Sequence, residues 1–217
     1  MEFFDSTKSI IENAYYLSGV LILISLIITL SQVLLAKKTL EINSKREAAK
    51  LAVQQIELYL SKITPLQDEF SMAQESKNIP TVVLEQKEFS LKYLETVMEK
   101  STISKLLKER SPIVMEILNV LNAMEAFSVY FVKGVADEEI AYSSVGGTFV
   151  FVVKGLFFDI ATSNEEENGI HFQNLIKLYK IWNARLEKEN LTDSFQKIKE
   201  QLNGMNTPKI NPIGVKK

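Results

Sequence analysis

The sequence has no cysteine and very little histidine. Its 217 residues include no Cys, one His, 8 Gly and 5 Pro. The absence of cysteine excludes disulfides, thiolate nucleophiles and zinc sites built on sulfur. Any His-based metal site or Ser-His-Asp triad would depend on His171, whose position at a helix start is typical of a surface or capping residue. Because 25 basic residues balance 27 acidic ones, net charge does not indicate a nucleic-acid partner.

Motifs of known catalytic chemistry are also absent. The chain has no Walker loop, no GxGxxG fingerprint and no HExxH. Its acidic runs are typical of a helix N-terminus at residues 137–139 and of a solvated loop at residues 165–167. The pair Gly146-Gly147 lies in a helical pattern and indicates close helix packing. We therefore expect a protein that is not an enzyme, with no catalytic residue, no metal and no cofactor.

A long uncharged segment lies near the N-terminus. Asn13 to Ala36 are 24 residues without a charge, dominated by Leu, Ile and Val. A helix needs about 20 such residues to cross a bilayer core of about 30 Å. Acidic residues precede the segment and no cleavage site follows it, which argues against a secretory signal peptide. We predict a transmembrane helix at residues 14–36, with the lipid bilayer as a partner.

The charges that flank this segment predict its orientation. Its C-terminal flank contains Lys37, Lys38, Lys45, Arg46 and Lys50 against two glutamates. Basic residues stay on the cytoplasmic side. We therefore expect a single-pass protein of a bacterial inner membrane, with a short extracytoplasmic N-terminus at residues 1–13 and a cytoplasmic C-terminal domain.

The remaining chain shows helical periodicity and no period-2 segment long enough for a sheet. The fold class is therefore all-α, with the transmembrane helix continuing into a stalk. We predict a helical stalk at 37–64 ending at Thr64-Pro65, a cytosolic helical bundle at 65–203, and a disordered tail at 204–217. Within the bundle we predict an irregular connection at 66–83 and the following helices: 83–100, 112–133 after a Ser111 cap, 138–162 after an Asp137 cap, 170–188, and a last one after Thr192 or Asp193.

Three polar residues interrupt the apolar helices of the bundle. Asn122 and Glu125 lie three residues apart, and Lys154 is isolated on the next helix. A buried carboxylate needs a partner or a proton. We expect Glu125 and Lys154 to meet, either as a structural pair or as part of a ligand pocket. Lys177 and Lys180 share a helix face, which could present cations to a ligand or be a solvated face.

A polar stripe runs along the transmembrane segment. At about 100° per residue, an arc of about 80° contains Ser18, Ile22, Ser25, Thr29, Gln32 and Ala36, of which Ser18, Ser25, Thr29 and Gln32 are polar. Small and hydrogen-bonding residues mark the faces by which membrane helices associate. The stripe is therefore expected to line a pore or an oligomer contact. In the alternative, Ser and Thr bond their own preceding carbonyls and Gln32 reaches the membrane interface.

Residues LNAMEAFSVYFVKGVADEEIAY and a later Tyr-x-x-Trp resemble the signature of an uncharacterised bacterial family, known only as a domain of unknown function. The resemblance rests on the following positions: Asn122, Glu125, Gly134, Asp137, Glu138, Tyr142, Tyr179 and Trp182. It implies one N-terminal transmembrane helix before a helical cytosolic domain, and no activity.

The order of segments is also similar to single-span membrane effectors of bacterial anti-phage systems, including the Hailong type. That resemblance implies a homo-oligomeric channel controlled by an oligonucleotide or nucleotide signal from a partner nucleotidyltransferase. Two functions are therefore expected. One is an oligomeric, pore-forming membrane effector of anti-phage defence that is controlled through its cytosolic domain. The other is an anchored scaffold or adaptor that holds a partner protein at the inner membrane face.

Overall fold

The computed structural model describes residues 2–82, 88–164 and 171–204. The described residues are helical and contain no strand, which confirms the all-α class. The α-helices in chain order are α1 (Glu2–Leu58), α2 (Thr64–Ser76), α3 (Leu91–Val97), α4 (Lys100–Arg110), α5 (Val114–Val132), α6 (Glu138–Gly155), α7 (Phe157–Thr162) and α8 (Gln173–Gly204). A π turn (Tyr59–Ile63) precedes α2, and a 3-10 turn (Ser111–Ile113) precedes α5.

The chain divides into two units, residues 1–50 and 51–217. The first consists of the larger part of α1, in which every side chain at residues 14–47 is exposed. Its apolar residues therefore find no partner within the described unit. The second unit contains residues 51–64 of the predicted stalk, where Ala52, Tyr59 and Ile63 are buried.

The second unit is a helical bundle built around α5. This helix contacts α2 and α8, and α6 also contacts α8. The largest fully buried side chains are Trp182, Tyr59, Phe127, Phe149, Phe157 and Phe158. Phe127 lies between helices, with ring centroids 5.2 Å from Tyr59 and 6.2 Å from Trp182. Edge-to-face aromatic pairs of this kind stabilise a core beyond the area they bury.

The prediction that the stalk helix ends at Thr64-Pro65 is wrong. The irregular connection predicted at 66–83 is wrong for residues 66–76, which are helical, whereas residues 77–82 are not helical. The π turn shifts the hydrogen bonding so that the Thr64 N–H donates to the Tyr59 carbonyl, five residues back. Pro65 then lies in the first turn of α2, where its missing N–H and its ring are tolerated. The helix therefore continues to Ser76.

The helix predicted at 83–100 is shorter than expected. Residues 83–87 lie outside the described part, and α3 begins only at Leu91, capped by the Ser90 hydroxyl. Met98 and Glu99 are extended, and a separate helix, α4, follows them. Ser111 does not cap α5, because its hydroxyl donates back to the Lys108 carbonyl at 3.0 Å.

The boundary between α5 and α6 agrees with the sequence prediction. The chain leaves α5 through Gly134, whose φ of 66° is a left-handed conformation that glycine adopts without strain. Asp137 caps α6 and accepts from the N–H groups of Glu139 and Ile140 at 3.1 and 3.2 Å. The predicted helix 138–162 is interrupted at Leu156, between α6 and α7.

The two C-terminal helices predicted on either side of Thr192 are one helix. The hydroxyls of Thr192 and Ser194 donate to carbonyls four residues back, Lys188 and Asn190. They therefore bond within α8 and do not cap a new helix. Residues 165–167 of the acidic loop and residues 205–217 of the tail predicted at 204–217 lie outside the described residues, and Gly204 is the last residue of α8.

Candidate functional site

The first candidate is the polar face of the apolar segment in the first unit, which we define as Ser18, Ser25, Thr29 and Gln32. Two helical stretches of the described residues are long and apolar enough to cross a membrane, Ala14–Ser76 and Lys100–Val132. The most apolar window of the first is 0% buried, and that of the second is 39% buried. Burial within the bundle explains why the second stretch is apolar. The first stretch remains a candidate membrane helix.

The hydroxyl groups of this polar face bond to their own helix. Ser18 donates to the Tyr15 carbonyl at 2.7 Å, Ser25 to Ile22 at 2.8 Å, and Thr29 to Ser25 at 2.8 Å. Gln32 is exposed and has no hydrogen-bond partner among the described residues. The hydroxyls therefore need no second chain as an acceptor, while the Gln32 amide lacks a partner.

The second candidate lies in the bundle, where Glu125 meets the first turn of α8. Its carboxylate accepts from the Leu175 N–H at 2.7 Å, the Asn174 N–H at 3.2 Å and the Asn174 side chain at 2.7 Å. The first N–H groups of a helix have no partner within it and carry partial positive charge. Glu125 thus caps α8 from a helix about 50 positions earlier.

The prediction that Glu125 pairs with Lys154 is wrong. The half-buried carboxylate is occupied by α8, and no ion pair joins it to Lys154 within the described chain. Asn122 is exposed, and so are Lys177 and Lys180 on α8. The structure therefore does not bring Asn122, Glu125 and Lys154 into one buried group. Whether any of these residues binds a ligand stays a prediction.

A polar cluster joins α6 to α8, and we call it the α6–α8 junction: Glu138, Tyr142, Trp182, Arg185 and Glu189. Glu138 accepts from the Trp182 indole N–H and from Arg185 at 3.1 Å. The Tyr142 hydroxyl donates to Glu189 at 2.7 Å, and the Arg185 guanidinium lies 4.5 Å from the centre of the Tyr142 ring. These contacts join the start of α6 to the middle of α8 by hydrogen bonds, an ion pair and a cation–π contact.

Gly146 determines how Tyr142 lies in this junction. A Cβ at Gly146 would come 2.5 Å from a carbon of the Tyr142 ring, whereas a Cβ at Gly147 would meet nothing within 4 Å. Burial and the hydrogen bond to the Glu189 carboxylate raise the pKa of Tyr142 to about 12. The tyrosine is therefore a neutral donor at physiological pH. An open cleft of about 830 Å³ borders it, lined also by Glu139, Ser143 and Lys188.

A buried ion pair was not predicted from the sequence. Arg110 donates two hydrogen bonds to Asp159, at 2.7 and 2.6 Å, and a third to the Pro80 carbonyl at 3.3 Å. The exposed fractions of the two side chains are only 4% and 9%. Such a pair joins α4 to α7, and removing one partner would leave a buried charge without compensation. No local sequence pattern predicts this ion pair, because Arg110 and Asp159 are 49 positions apart in the chain.

The described residues define a class of protein: a helical bundle that follows one helix long and apolar enough to cross a membrane. The chain belongs to the DUF4760 family, a domain of unknown function, whose model matches residues 20–182. The resemblance to a family of unknown function is therefore confirmed. The match begins inside the apolar segment and ends at Trp182, so the second half of α8 lies beyond it. Comparison with curated proteins and with solved structures found no match.

Proposed function

We propose that this protein is an oligomeric, single-span membrane effector whose apolar helices associate through their polar face and whose bundle controls them. The observation that carries the proposal is the exposed Gln32 amide, which has no hydrogen-bond partner in the part of the chain that the structure describes. Gln32 lies seven residues from Ser25, the midpoint of residues 14–36, and hence about 10 Å from the bilayer centre. The hydrocarbon core extends about 15 Å from that centre.

An amide at that depth gains from a partner in another chain. Lipid offers it no hydrogen bond, and an unsatisfied polar group in an apolar medium costs several kcal/mol. The small side chains of Ser18 and Ser25 on the same face let two helices approach closely. A ring of Gln32 and Thr29 can also keep a narrow pore wet, whereas an apolar constriction would dewet and close it.

The orientation we propose places the N-terminus outside and the bundle in the cytoplasm of a bacterial cell. The basic flank beyond Ala36 supports it. Protease added to intact spheroplasts should spare the bundle, and disruption of the membrane should expose it. Digestion of the bundle in intact spheroplasts would contradict this orientation.

The pore proposal is tested by replacing Ser25, Thr29 and Gln32 together with leucine. This change removes the polar face while it preserves an apolar helix, so insertion should be retained and permeabilisation lost. The measurement is membrane potential and growth of bacteria expressing the full chain. The matched control replaces three apolar residues that lie off the polar face, Val20→Leu, Ile24→Leu and Ile27→Leu, and should behave as wild type. Unchanged permeabilisation in the first variant would count against a pore.

Control of the pore would act through the bundle, by a partner protein or by an anionic, nucleotide-type ligand. The exposed Lys177 and Lys180 support a surface for such a ligand. If an oligonucleotide binds there, its affinity should fall steeply as salt concentration rises. At a fixed salt concentration, Lys177→Gln with Lys180→Gln should lower the affinity for the oligonucleotide. Lys105→Gln, which removes an exposed charge on α4, should not lower that affinity. Binding that is insensitive to salt would argue against an oligonucleotide.

An anchored scaffold is the second candidate function. It is favoured by Phe151, whose side chain is 77% exposed beside a groove of about 620 Å³ between α2 and α6. Phe70 and Ile79 also line this groove, and an exposed apolar site is a common docking surface for a partner protein. A scaffold would need the span only as an anchor, so the triple leucine variant would leave its activity intact while Phe151→Ser would impair it.

A further inference from the structure

The second half of α8 carries an apolar stripe that the bundle does not use. Four large side chains on it are exposed: Leu191 by 71%, Phe195 by 68%, Ile198 by 54% and Leu202 by 61%. Their spacings of four, three and four residues are those of a coiled-coil seam. An exposed stripe of this kind needs a partner outside the described bundle.

The stripe is not a continuation of the face by which α8 joins its own bundle. The side chains of α8 that meet the core are Leu175, Ile176, Leu178, Tyr179, Trp182 and Leu186. At about 100° per residue, the mean direction of those side chains is about 160° from that of the exposed stripe. The two sets therefore lie on opposite sides of one helix. The bundle cannot cover both of them.

The heptad pattern extends the stripe back to the middle of α8. Counting in steps of three and four from Leu202 gives the positions of the seam, which we define as Ile181, Ala184, Lys188, Leu191, Phe195, Ile198 and Leu202. Ile181 is 50% exposed, and Ala184 and Lys188 are exposed too. The seam spans about three heptads with one lysine at an a position, a substitution known to set register and oligomeric state.

We propose that this seam binds the same seam of a second copy, as a parallel two-stranded coiled coil. In a parallel pair each a residue lies beside the preceding g residue of the partner helix. Lys188 at position a would therefore meet Glu187 at position g of the other copy, and the symmetry of the pair makes this contact twice. Glu187 is exposed, and its carboxylate accepts from Asn183 of its own chain at 2.8 Å.

The charges along this helix argue against a membrane surface as the occupant. Residues 188–203 contain three lysines and three acidic residues. An interfacial helix for anionic lipid has an excess of Lys and Arg on its polar face. A balanced charge together with a self-complementary seam favours another copy of this chain.

The proposal does not depend on the pore, since an anchored scaffold could dimerise through the same seam. It goes beyond the proposed function because it places a second contact between copies outside the apolar segment. It also lies almost entirely beyond residues 20–182, the part shared with the family.

The experiment uses the full chain in bacterial membranes and exploits its lack of cysteine. Single cysteines are placed at Ile198, a d position of the seam, and at Glu200, an f position on the opposite side and equally close to the chain end. Mild oxidation should give a disulfide-linked dimer at Ile198→Cys that is at least several-fold more abundant than at Glu200→Cys. Equal yields, no dimer, or an adduct with a different protein would overturn the proposal.

Charge variants of Ile198→Cys sharpen the test. Lys188→Glu creates two repulsive contacts with Glu187 and should lower the dimer yield about tenfold. Lys197→Glu changes the same charge at a c position and should leave the yield unchanged. The swap Glu187→Lys with Lys188→Glu should restore it. An equal loss in Lys188→Glu and Lys197→Glu, or no recovery in the swap, would contradict the parallel register.

The seam and the span are separated by repeating the reaction in the triple leucine variant of Ser25, Thr29 and Gln32. The Ile198→Cys dimer should persist there, which would hold even if the pore proposal failed. Loss of that dimer in the triple variant would show that the span drives association and would overturn the seam as an independent interface. Helical circular dichroism of each variant verifies that these exposed positions leave the fold intact.

Discussion

Residues 14–36 and helix α5 (Val114–Val132) belong to the two helical stretches that are long and apolar enough to cross a membrane, yet their surroundings are opposite. None of the side chains at 14–36 is buried, whereas α5 buries the face Ile117, Val120, Leu121, Met124, Phe127, Ser128 and Phe131. The polar residues differ as well. Those of α5 include carboxylates, and one of them caps α8. The hydroxyl and amide side chains of 14–36 are those of three serines, a threonine and a glutamine, two tyrosines aside.

The difference teaches that apolar length alone does not decide the environment of a helix. A core helix carries charged groups where a neighbouring element can satisfy them, as Glu125 does. A membrane helix carries uncharged polar groups that bond their own backbone or another helix, because charge at the bilayer centre is costly. Residues 14–36 follow the second pattern and α5 the first.

The largest expected effect comes from arginines in the two helices. Leu23→Arg with Ile27→Arg places two charges on the apolar side of the span, at about 2.5–3.5 kcal/mol each. The chain should then leave the membrane fraction on centrifugation. Met115→Arg with Ala126→Arg makes the same change at exposed positions of α5 and should leave the chain in the membrane. Equal loss in both variants would remove the distinction between the helices.

The buried ion pair of the bundle gives the next largest effect. Asp159→Asn leaves Arg110 buried without a counter-charge and should lower the free energy of unfolding by about 3–5 kcal/mol. Glu95→Gln removes one partner of an exposed pair with Lys100, 3.1 Å apart, and should change it by less than about 1 kcal/mol. Chemical unfolding in detergent measures both. The amount of chain in the membrane fraction should be the same for both variants and for wild type. If Asp159→Asn left the membrane fraction, membrane attachment would depend on the folded bundle.

A smaller effect is expected at the two glycines of α6. Gly146→Ala forces a Cβ against the Tyr142 ring, which Arg185, Trp182 and Glu189 hold in place, and should destabilise the bundle by about 1–3 kcal/mol. Gly147→Ala meets open space and should stabilise it by up to about 1 kcal/mol, since alanine favours helix. The midpoint temperature of thermal unfolding should therefore fall in Gly146→Ala and rise in Gly147→Ala. Shifts in the same direction would show that Tyr142 is free to move.

Local patterns predicted the parts of this structure that local physics determines. The apolar segment, the Gly134 stop and the Asp137 cap were all confirmed, because each depends on neighbours within a few residues. The continuation through Pro65 was missed, since a π turn is one extra residue in a helix and leaves no pattern of its own.

The partners of buried charged groups could not be predicted in this way. Glu125 was expected to meet Lys154 on the next helix and instead meets Asn174 and Leu175. The partner of Glu125 depends on how three helices pack against one another. The spacing of residues within one helix carries no information about that packing. Arg110 and Asp159 illustrate the same limit: each resembles an ordinary surface charge until tertiary packing buries them together.

The association of the spans through their polar face is tested most directly by a cysteine scan of the full chain in its membrane. Single cysteines from Ser18 to Ala36 can be oxidised one at a time, since the chain supplies no cysteine of its own. The account predicts disulfide-linked dimers with helical periodicity, with maxima at Ser18, Ser25 and Gln32 and minima at Val20, Ile27 and Leu34. A uniform yield, or maxima at Val20, Ile27 and Leu34, would contradict it.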